Sequence, residues 1–255
     1  MPTTLTLQAE DDLDADGPGA ANTGSAITGG SSLLTSLVAA WKLDDLTDST
    51  GRGNTLTNNN SATFNTGKIG NAVYVAAASS QYLSITSNTD VQLSSSDFTI
   101  GLWAYHSSFS GAKNIALGKD ASGQREYYLF SEDTGTNNNR FKIAVFSGGA
   151  EKTAIANSFG DLSTATWYCV IAWWDSVAQT LNLSVNDGTT NTNNIAAALD
   201  APASAALNIG RRSFAGFENY FDGRIDAVHV WKRVLSAADR TEFYNSGTGK
   251  EYPFS

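Results

Sequence analysis

The chain has 255 residues, with 16 Lys and Arg against 25 Asp and Glu, which gives a formal net charge of −9. This balance argues against a nucleic-acid partner, because neutralising phosphates requires clustered basic side chains. No segment approaches the roughly 18 consecutive apolar residues of a membrane span, so we expect no membrane insertion. Hydrophobic residues make up 41% of the chain, enough for a sizeable core, and the abundant Gly, Asn, Ser and Thr favour short strands and turns.

Residues 1–35 have little to bury. They contain an acidic run followed by a stretch of small residues, a composition typical of an extended arm. The first residues lack the basic and apolar regions of a signal peptide. Residues 3–8 alternate as a β-strand does, so we expect this arm to contact neighbouring protein subunits, a second copy of the chain included, by adding a strand to a sheet edge.

From residue 37 onward, short apolar segments alternate with turn-forming residues, which predicts one β domain over residues 36–255. Both faces of residues 166–175 are apolar, as expected of a central strand that is covered on both sides. Cys169, the one cysteine of the chain, lies in this segment and is predicted to be buried. The predicted strands are residues 37–43, 72–75, 82–86, 98–106, 114–118, 126–130, 141–146, 166–175, 180–186, 206–210 and 221–232.

A single helix is predicted near the C-terminus. Ser236 is a good N-cap residue with Asp239 three positions later, and Gly247 supplies a stop. Many short strands followed by one short helix predict an all-β fold, a two-sheet antiparallel sandwich with an extended N-terminal arm.

Several blocks occur in a fixed order between residues 37 and 247: DSTGRGN, DFTIGLWAY, TWYCVIAWWD, LNLSVNDG and FDGRIDAVHVWKRVL. In this order they resemble the laminin-G-like, concanavalin A-like lectin superfamily in its bacterial and viral form. The resemblance implies a jelly roll of two antiparallel sheets, often with a structural calcium ion.

The resemblance also implies the calcium ligands. By position they are Asp48 and Asn54 in the DSTGRGN turn and Asp226 in the late strand. Calcium takes six to eight oxygen ligands, which a turn rich in Asp and Asn can offer. The alternative is that Asp48 and Asn54 only shape the turn, while Asp226 meets a backbone N–H or an arginine. The inserted Thr50 and Ala227, which replaces a usual Glu, are departures from the family pattern.

No catalytic motif is evident. The β-glucanases of the same fold carry E-x-D-x-x-E on one strand, and retaining hydrolysis needs two closely spaced carboxyl groups. The glutamates here are scattered, and neither His106 nor His229 stands beside a nucleophile motif. We therefore expect no enzyme, and we expect His229 to be a packed strand residue.

Ligand binding suits the sequence better. Aromatic rings stack on the apolar faces of sugars, and neighbouring polar side chains bind the hydroxyl groups. The alternative is that these rings belong to the core or rim of the sandwich. The candidate glycan-binding residues are Tyr127, Arg211, Arg212, Phe214, Phe217 and Tyr220.

Three roles remain open for such a chain. The first is a virion-associated component, a phage capsid-decoration or tail protein, whose sandwich faces outward to bind glycans and whose arm anchors it. The second is a free carbohydrate-binding module or secreted lectin, at an extracellular location reached without a signal peptide. The third is a structural spacer that binds no ligand.

Overall fold

A computed structural model describes residues 31–109, 113–133, 139–214, 216 and 218–254. Their regular structure is mostly strands in two antiparallel sheets that pack face to face, which confirms the predicted fold class. The strands are β1 (Leu37–Trp41), β2 (Thr57–Asn59), β3 (Thr63–Thr66), β4 (Asn71–Val75), β5 (Tyr82–Ile85), β6 (Phe98–His106), β7 (Lys113–Ala121), β8 (Gln124–Asp133), β9 (Asn139–Ser147), β10 (Ala150–Ile155), β11 (Trp167–Asp175), β12 (Thr180–Val185), β13 (Asn191–Asn194), β14 (Leu207–Ile209) and β15 (Gly223–Trp231). The helices are α1 (Ala237–Tyr244) and three 3-10 turns at Ser32–Leu34, Ala77–Ser79 and Asn245–Gly247.

The two sheets have long central strands and short outer ones. The first sheet has the order β13-β12-β11-β6-β15-β4-β3, and β1 pairs with β15 beside this path. The second sheet has the order β10-β9-β8-β7-β14-β5-β2. Many neighbouring strands in the sheets are far apart in the sequence. For example, β15 lies between β6 and β4, so the sandwich is held together by long-range contacts.

The main core lies between the sheets. Phe98, Ile100 and Leu102 of β6 point into it, since side chains of a strand alternate between its two faces. Strand β11 lies between β6 and β12, so its prediction as a central strand is confirmed. Val170 faces the main core, whereas Cys169 faces the other side and is fully buried there, as predicted.

A second apolar layer covers the outer face of the first sheet. There Trp103 and Trp231 are buried beneath Phe243 of α1. Gly101 permits this close packing, because a Cβ at that position would lie 2.9 Å from Cε1 of Phe243. The helix begins at Ser236, whose hydroxyl accepts from the backbone N–H of Asp239 in the predicted capping box.

The end of the predicted arm packs on this same outer face. Leu33 is fully buried, and its carbonyl accepts a 2.6 Å hydrogen bond from Nε1 of Trp231. Arg233 donates to the carbonyl oxygens of Ser32 and Thr35 at 2.8 and 2.9 Å. The predicted strand at residues 3–8 lies outside the described residues.

Four strands were not predicted: β2, β3, β10 and β13. All are short, lie at or next to a sheet edge, and are rich in Asn, Thr or charged residues. Their half-exposed side chains need no hydrophobic alternation, so the sequence gives no period-2 pattern there. Among the residues that the structure describes, no helix has both the length and the apolarity to cross a membrane.

Candidate functional site

The outer face of the second sheet carries a small apolar cluster that is separate from the main core. Its members alternate with core residues along their strands, so Tyr128 faces outward while Tyr127 faces the core. The cluster consists of Ile115, Tyr128, Phe130, Ala144 and Phe146, all buried.

Cationic side chains cover these rings. The guanidinium carbon of Arg125 lies 4.0 Å from the centre of the Phe146 ring, and that of Arg212 lies 5.1 Å from the Tyr128 ring. Both arginines also lie over Phe214, at 5.2 and 5.3 Å. Such contacts attract through the negative face of the ring and exclude water from it.

Carboxylates tie this layer together. Asp120 is fully buried, and its two oxygens pair with Arg125 Nε at 2.9 Å and Arg212 Nη1 at 3.2 Å. Glu151 lies 3.4 Å from Arg125 Nη2. Burial raises the pKa of the Tyr128 hydroxyl well above its usual value, and the neighbouring Glu151 raises it further. The layer is therefore held in place by ion pairs and stacking.

The loop that follows β14 crosses this face. Gly118 of β7 permits the crossing, because a Cβ there would lie 2.9 Å from the carbonyl oxygen of Arg211 and 3.0 Å from Cβ of Arg212. Further along, Tyr220 forms an isolated parallel bridge with Ile115. A glycine in a strand interior thus marks the place where a second backbone approaches the sheet.

This loop places an arginine between two tyrosines. The Arg211 guanidinium carbon lies 3.7 Å from the centre of the Tyr82 ring, and Nη1 donates to the Tyr220 hydroxyl at 3.2 Å. The two tyrosine rings are 6.4 Å apart and tilted by 55°. All three side chains are half-buried, so ring surface and polar atoms are presented to solvent together.

A cleft of about 470 Å³ adjoins the same face. It lies between the β7–β8 turn and residues 200–204, and its lining includes Gln124, Arg125, Phe146 and Asp200. Amide, guanidinium, ring and carboxylate groups are thereby brought together at one end of the sheet.

Four of the predicted glycan-binding residues come together around this loop: Arg211, Arg212, Phe214 and Tyr220. Tyr127 does not, because it is fully buried in the main core, where its hydroxyl donates to the Val91 carbonyl at 2.7 Å. A surface ligand cannot reach its ring. Phe217 lies outside the described residues.

Three residues of this face were not predicted from the sequence: Tyr82, Arg125 and Phe146. Each lies in a strand, β5, β8 or β9, where an aromatic or charged side chain needs no binding role to account for it. The one available signal was alternation, because Tyr82 stands next to the core residue Leu83 and Phe146 next to the core residue Val145.

The residues implied as calcium ligands accept hydrogen bonds from backbone groups in different parts of the chain. Asp48 and Asn54 lie together, but the Asp48 oxygens accept from the backbone N–H groups of Ala40, Thr50 and Asn54.

Asp226 meets a different loop. Its Oδ2 accepts from the N–H groups of Lys68 and Ile69 at 2.6 and 2.9 Å, while Oδ1 is buried and lacks a partner. Burial raises the pKa of this carboxyl to about 7. Within the described ranges, no group of three or more His, Cys, Asp and Glu side chains is arranged to hold a metal ion. Asp48 and Asp226 thus accept hydrogen bonds from backbone groups of two different loops, and the calcium site implied by the resemblance stays a prediction.

The two histidines are core residues. Burial lowers the pKa of His106 to about 3 and that of His229 to about 4. Nδ1 of His229 lies 2.8 Å from the carbonyl oxygen of Ala227, and Nε2 accepts from the Tyr252 N–H at 3.3 Å. Its prediction as a packed strand residue is confirmed, and neither imidazole reaches the candidate face.

Solved structures of low sequence identity share this architecture. Domain 4 of AbnA, an extracellular arabinanase from Geobacillus stearothermophilus solved with arabinotriose, is 16% identical, with a TM-score of 0.63 over 84% of this chain and 98% of that domain. The binding domain of Paraclostridial Mosquitocidal Protein 1 is also 16% identical, with a TM-score of 0.67 over 84% of this chain and 53% of that one. The binding domain of Botulinum Neurotoxin DC, solved in complex with SialylT, is 12% identical, with a TM-score of 0.62 over 84% and 52%. This chain thus spans about half the length of the toxin binding domains, and at these identities the likeness shows the fold.

No curated protein matches the sequence. A laminin-G-type family model, described as the concanavalin A-like lectin/glucanases superfamily, matches residues 77–239, which is more than half of the chain. The family resemblance of the sequence blocks is thereby confirmed, and the chain belongs to the concanavalin A-like lectin/glucanase superfamily.

Proposed function

We propose that the chain is a non-catalytic carbohydrate-binding domain whose ligand site is the outer face of the second sheet, around Tyr82, Arg211 and Tyr220. The observation that carries the proposal is the pair of half-buried tyrosines on either side of an arginine. Sugars bind to such sites by stacking a ring on an aromatic face while polar groups hold the hydroxyls. The arabinotriose in the AbnA domain and the SialylT in the neurotoxin complex support the choice of ligand class.

A binding role also agrees with the state of the ionisable groups. On the proposed face, Asp120 and Glu151 are held in ion pairs with Arg125 rather than standing free as an acid and a base. General acid–base hydrolysis needs two carboxyls with separate protonation states on either side of the scissile bond. The described carboxylates of this face supply charge pairing instead.

A glycan array followed by titration calorimetry tests the proposal. We expect Tyr82→Ala and Tyr220→Ala each to weaken the selected glycan about tenfold, equal to about 1.4 kcal/mol of lost stacking. Tyr74→Ala is the matched control, since Tyr74 is a half-buried tyrosine of β4 in the opposite sheet. Binding to no glycan would favour the structural spacer. An equal loss of affinity in the control would mean that the binding site does not lie on this face.

We further propose that the sandwich is the outward-facing part of a larger assembly, a virion surface being the best candidate, with residues 1–30 as its anchor. Support comes from where the chain enters the domain. Leu33 is fixed to the outer face of the first sheet by Trp231, so the N-terminal segment starts on the side of the sandwich opposite the proposed site. A free carbohydrate-binding module or secreted lectin is the alternative.

Deletion of residues 1–30 separates these roles. Under the anchoring role, the shortened chain folds with an unchanged circular dichroism spectrum but loses association with its partner subunits in light-scattering and co-purification measurements. An unchanged assembly state would favour the free module.

A further inference from the structure

The cationic side chains of the proposed face differ in whether they form ion pairs. Lys113, Arg125, Arg212 and Lys142 each lie within salt-bridge distance of a carboxylate. Arg211, alone among the cationic side chains named on this face, has no carboxylate within that distance in the described part of the chain.

The hydrogen bonds of Arg211 are also incomplete. Its Nη1 donates to the Tyr220 hydroxyl, whereas its Nε is buried and has no acceptor. A guanidinium has five N–H donors in a planar fork that matches a carboxylate in two parallel hydrogen bonds. The other terminal nitrogen, Nη2, has no acceptor among the described residues and is not buried, so an incoming acceptor can reach the group there.

Stacking prepares the guanidinium for such a partner. The guanidinium carbon lies 3.7 Å from the centre of the Tyr82 ring, a contact that restricts the movement of the group. An arginine held in this way loses less conformational freedom when it binds a carboxylate. The two tyrosines at the same time provide ring surface for the sugar that carries the acid group.

We infer that the proposed site takes acidic glycans and that Arg211 binds the carboxylate of a sialic or uronic acid residue. This inference rests on the proposed carbohydrate-binding function. The chain carries a net charge of −9, so its overall field does not attract an acidic ligand. Recognition therefore depends on a local cation, and Arg211 is one that no carboxylate of the described residues pairs with.

Titration calorimetry of the full chain with paired ligands tests the inference. The acidic probes are 3′-sialyllactose and trigalacturonate, which distinguish the two sources of the carboxylate, and the neutral probes are lactose and arabinotriose. We expect Arg211→Gln to weaken the better acidic probe about tenfold or more, as loss of a charged hydrogen-bonded pair does. Binding of a neutral probe is expected to change less than about twofold, within the range of a lost rim contact.

Two further variants make the result specific. Arg211→Lys keeps the charge without the planar fork and is expected to recover only part of the affinity for the acidic probe. Arg224→Gln is the matched control, because Arg224 stacks on Tyr105 at 5.1 Å in the first sheet and also has a buried Nε without an acceptor. Its affinity is expected to equal that of the wild type, and thermal melting of each variant shows that it is folded.

Each outcome has one meaning. Tight binding of neutral probes alone, unchanged in Arg211→Gln, would overturn the acidic-glycan inference and leave the carbohydrate-binding proposal intact. Acidic binding that is lost equally in Arg224→Gln would overturn the role of Arg211. Binding to none of the four probes and to no glycan on the array would overturn both proposals.

Discussion

At the scale of single residues, the most consequential pair is Lys119 and Glu126. Both side chains are fully buried, and Nζ lies 2.7 Å from Oε2. Glu126 also accepts from the backbone N–H groups of Leu93 and Ala203, at 2.6 and 3.1 Å, and Lys119 donates to the Ala203 carbonyl. The pair therefore joins the loop before β6 to the wall of the cleft. Its charges are compensated by each other, by backbone groups and by the Ser94 hydroxyl, which donates to Glu126 Oε1 at 3.3 Å.

Removal of one member should be severe. We expect Lys119→Met to lower the free energy of unfolding by about 3 kcal/mol, because it leaves a buried carboxylate without its counter-charge. The double variant Lys119→Met, Glu126→Gln is expected to lose less than the sum of the single variants. Urea denaturation measures both. Lys142→Met, which breaks a partly exposed pair with Glu132, is the control and should cost less than about 1 kcal/mol; equal losses would refute the role of burial.

The two histidines should make the fold sensitive to acid. Burial lowers the pKa of His229 to about 4 and that of His106 to about 3, so the unfolded chain binds more protons below pH 6.5. The stability from His229 is complete above pH 6.5 and is lost as the pH falls towards 4. One pKa unit corresponds to about 1.4 kcal/mol, so this loss is roughly 3 kcal/mol. The charged groups that act on this ring are Lys42, which lowers its pKa, and Asp48, which raises it.

Denaturation curves of the wild type and of His229→Gln between pH 7 and pH 4.5 check this expectation. The wild type should lose stability more steeply than the variant. Parallel curves would mean that His229 does not carry the acid sensitivity.

The turn at Asp48 should hold its shape without a metal. Its carboxylate accepts from the N–H groups of Ala40, Thr50 and Asn54, which are left unsatisfied in Asp48→Ala at a cost of about 2 kcal/mol. We expect the melting temperature to fall by the same amount in calcium and in EDTA. A wild-type melting temperature that rises with calcium, and a variant that does not respond, would contradict this.

Adjacent residues show what the sequence could and could not predict at this scale. Tyr127 and Tyr128 are the same residue type in one strand, so one must face the core and the other the outer face. Composition does not decide which, since both faces of β8 are apolar here. Only the register of β8 against β9, with Tyr127 opposite Val145, assigns each ring.

At the scale of elements, α1 determines how the outer face of the first sheet is covered. Phe243 packs against Trp231 with ring centres 5.6 Å apart at 88°, and Asp239 joins the helix start to Arg233 at 2.8 Å. The helix is only eight residues long, so its stability depends on its cap and on this packing rather than on intrinsic propensity.

Loss of the cap should therefore expose the tryptophan layer. We expect Ser236→Ala to cost about 1 kcal/mol, because the Asp239 N–H loses its acceptor. Urea denaturation followed by tryptophan fluorescence measures the change. Thr241→Ala removes a hydroxyl of the same helix whose hydrogen bond to Asp187 is solvent-exposed, and it should change stability by less than about 0.5 kcal/mol. If the two variants behave alike, the capping box is not what secures α1.

Elements with strong signals were predictable from the sequence, and edge elements were not. Strand β6 alternates Phe98, Ile100 and Leu102 with outward residues, and its predicted bounds match the observed ones. Strands β2 and β13 consist of Thr and Asn and form because a partner strand is already in place. Such pairing is decided by tertiary context, which a local pattern does not contain.

At the scale of the whole molecule, the two broad faces of the sandwich are covered in different ways. The first sheet is covered by α1, the 3-10 turn at Ser32–Leu34 and the C-terminal residues, which form an apolar layer. The second sheet is covered by arginines, carboxylates and rings, with half-buried Tyr82 and Tyr220 at its rim. One face is therefore an extension of the core, and the other is available for a polar ligand.

Chemical-shift mapping tests this division most directly. A ¹⁵N-labelled sample is titrated with the glycan that binds best on the array, and the shifted backbone amides are assigned. We predict that the shifts concentrate at Tyr82, Arg211, Tyr220 and the neighbouring Asn208 and Gly118 of the second sheet, while Trp103, Trp231 and Phe243 stay unchanged. Shifts confined to the first sheet, or to neither sheet, would contradict the assignment of the binding site to the outer face of the second sheet.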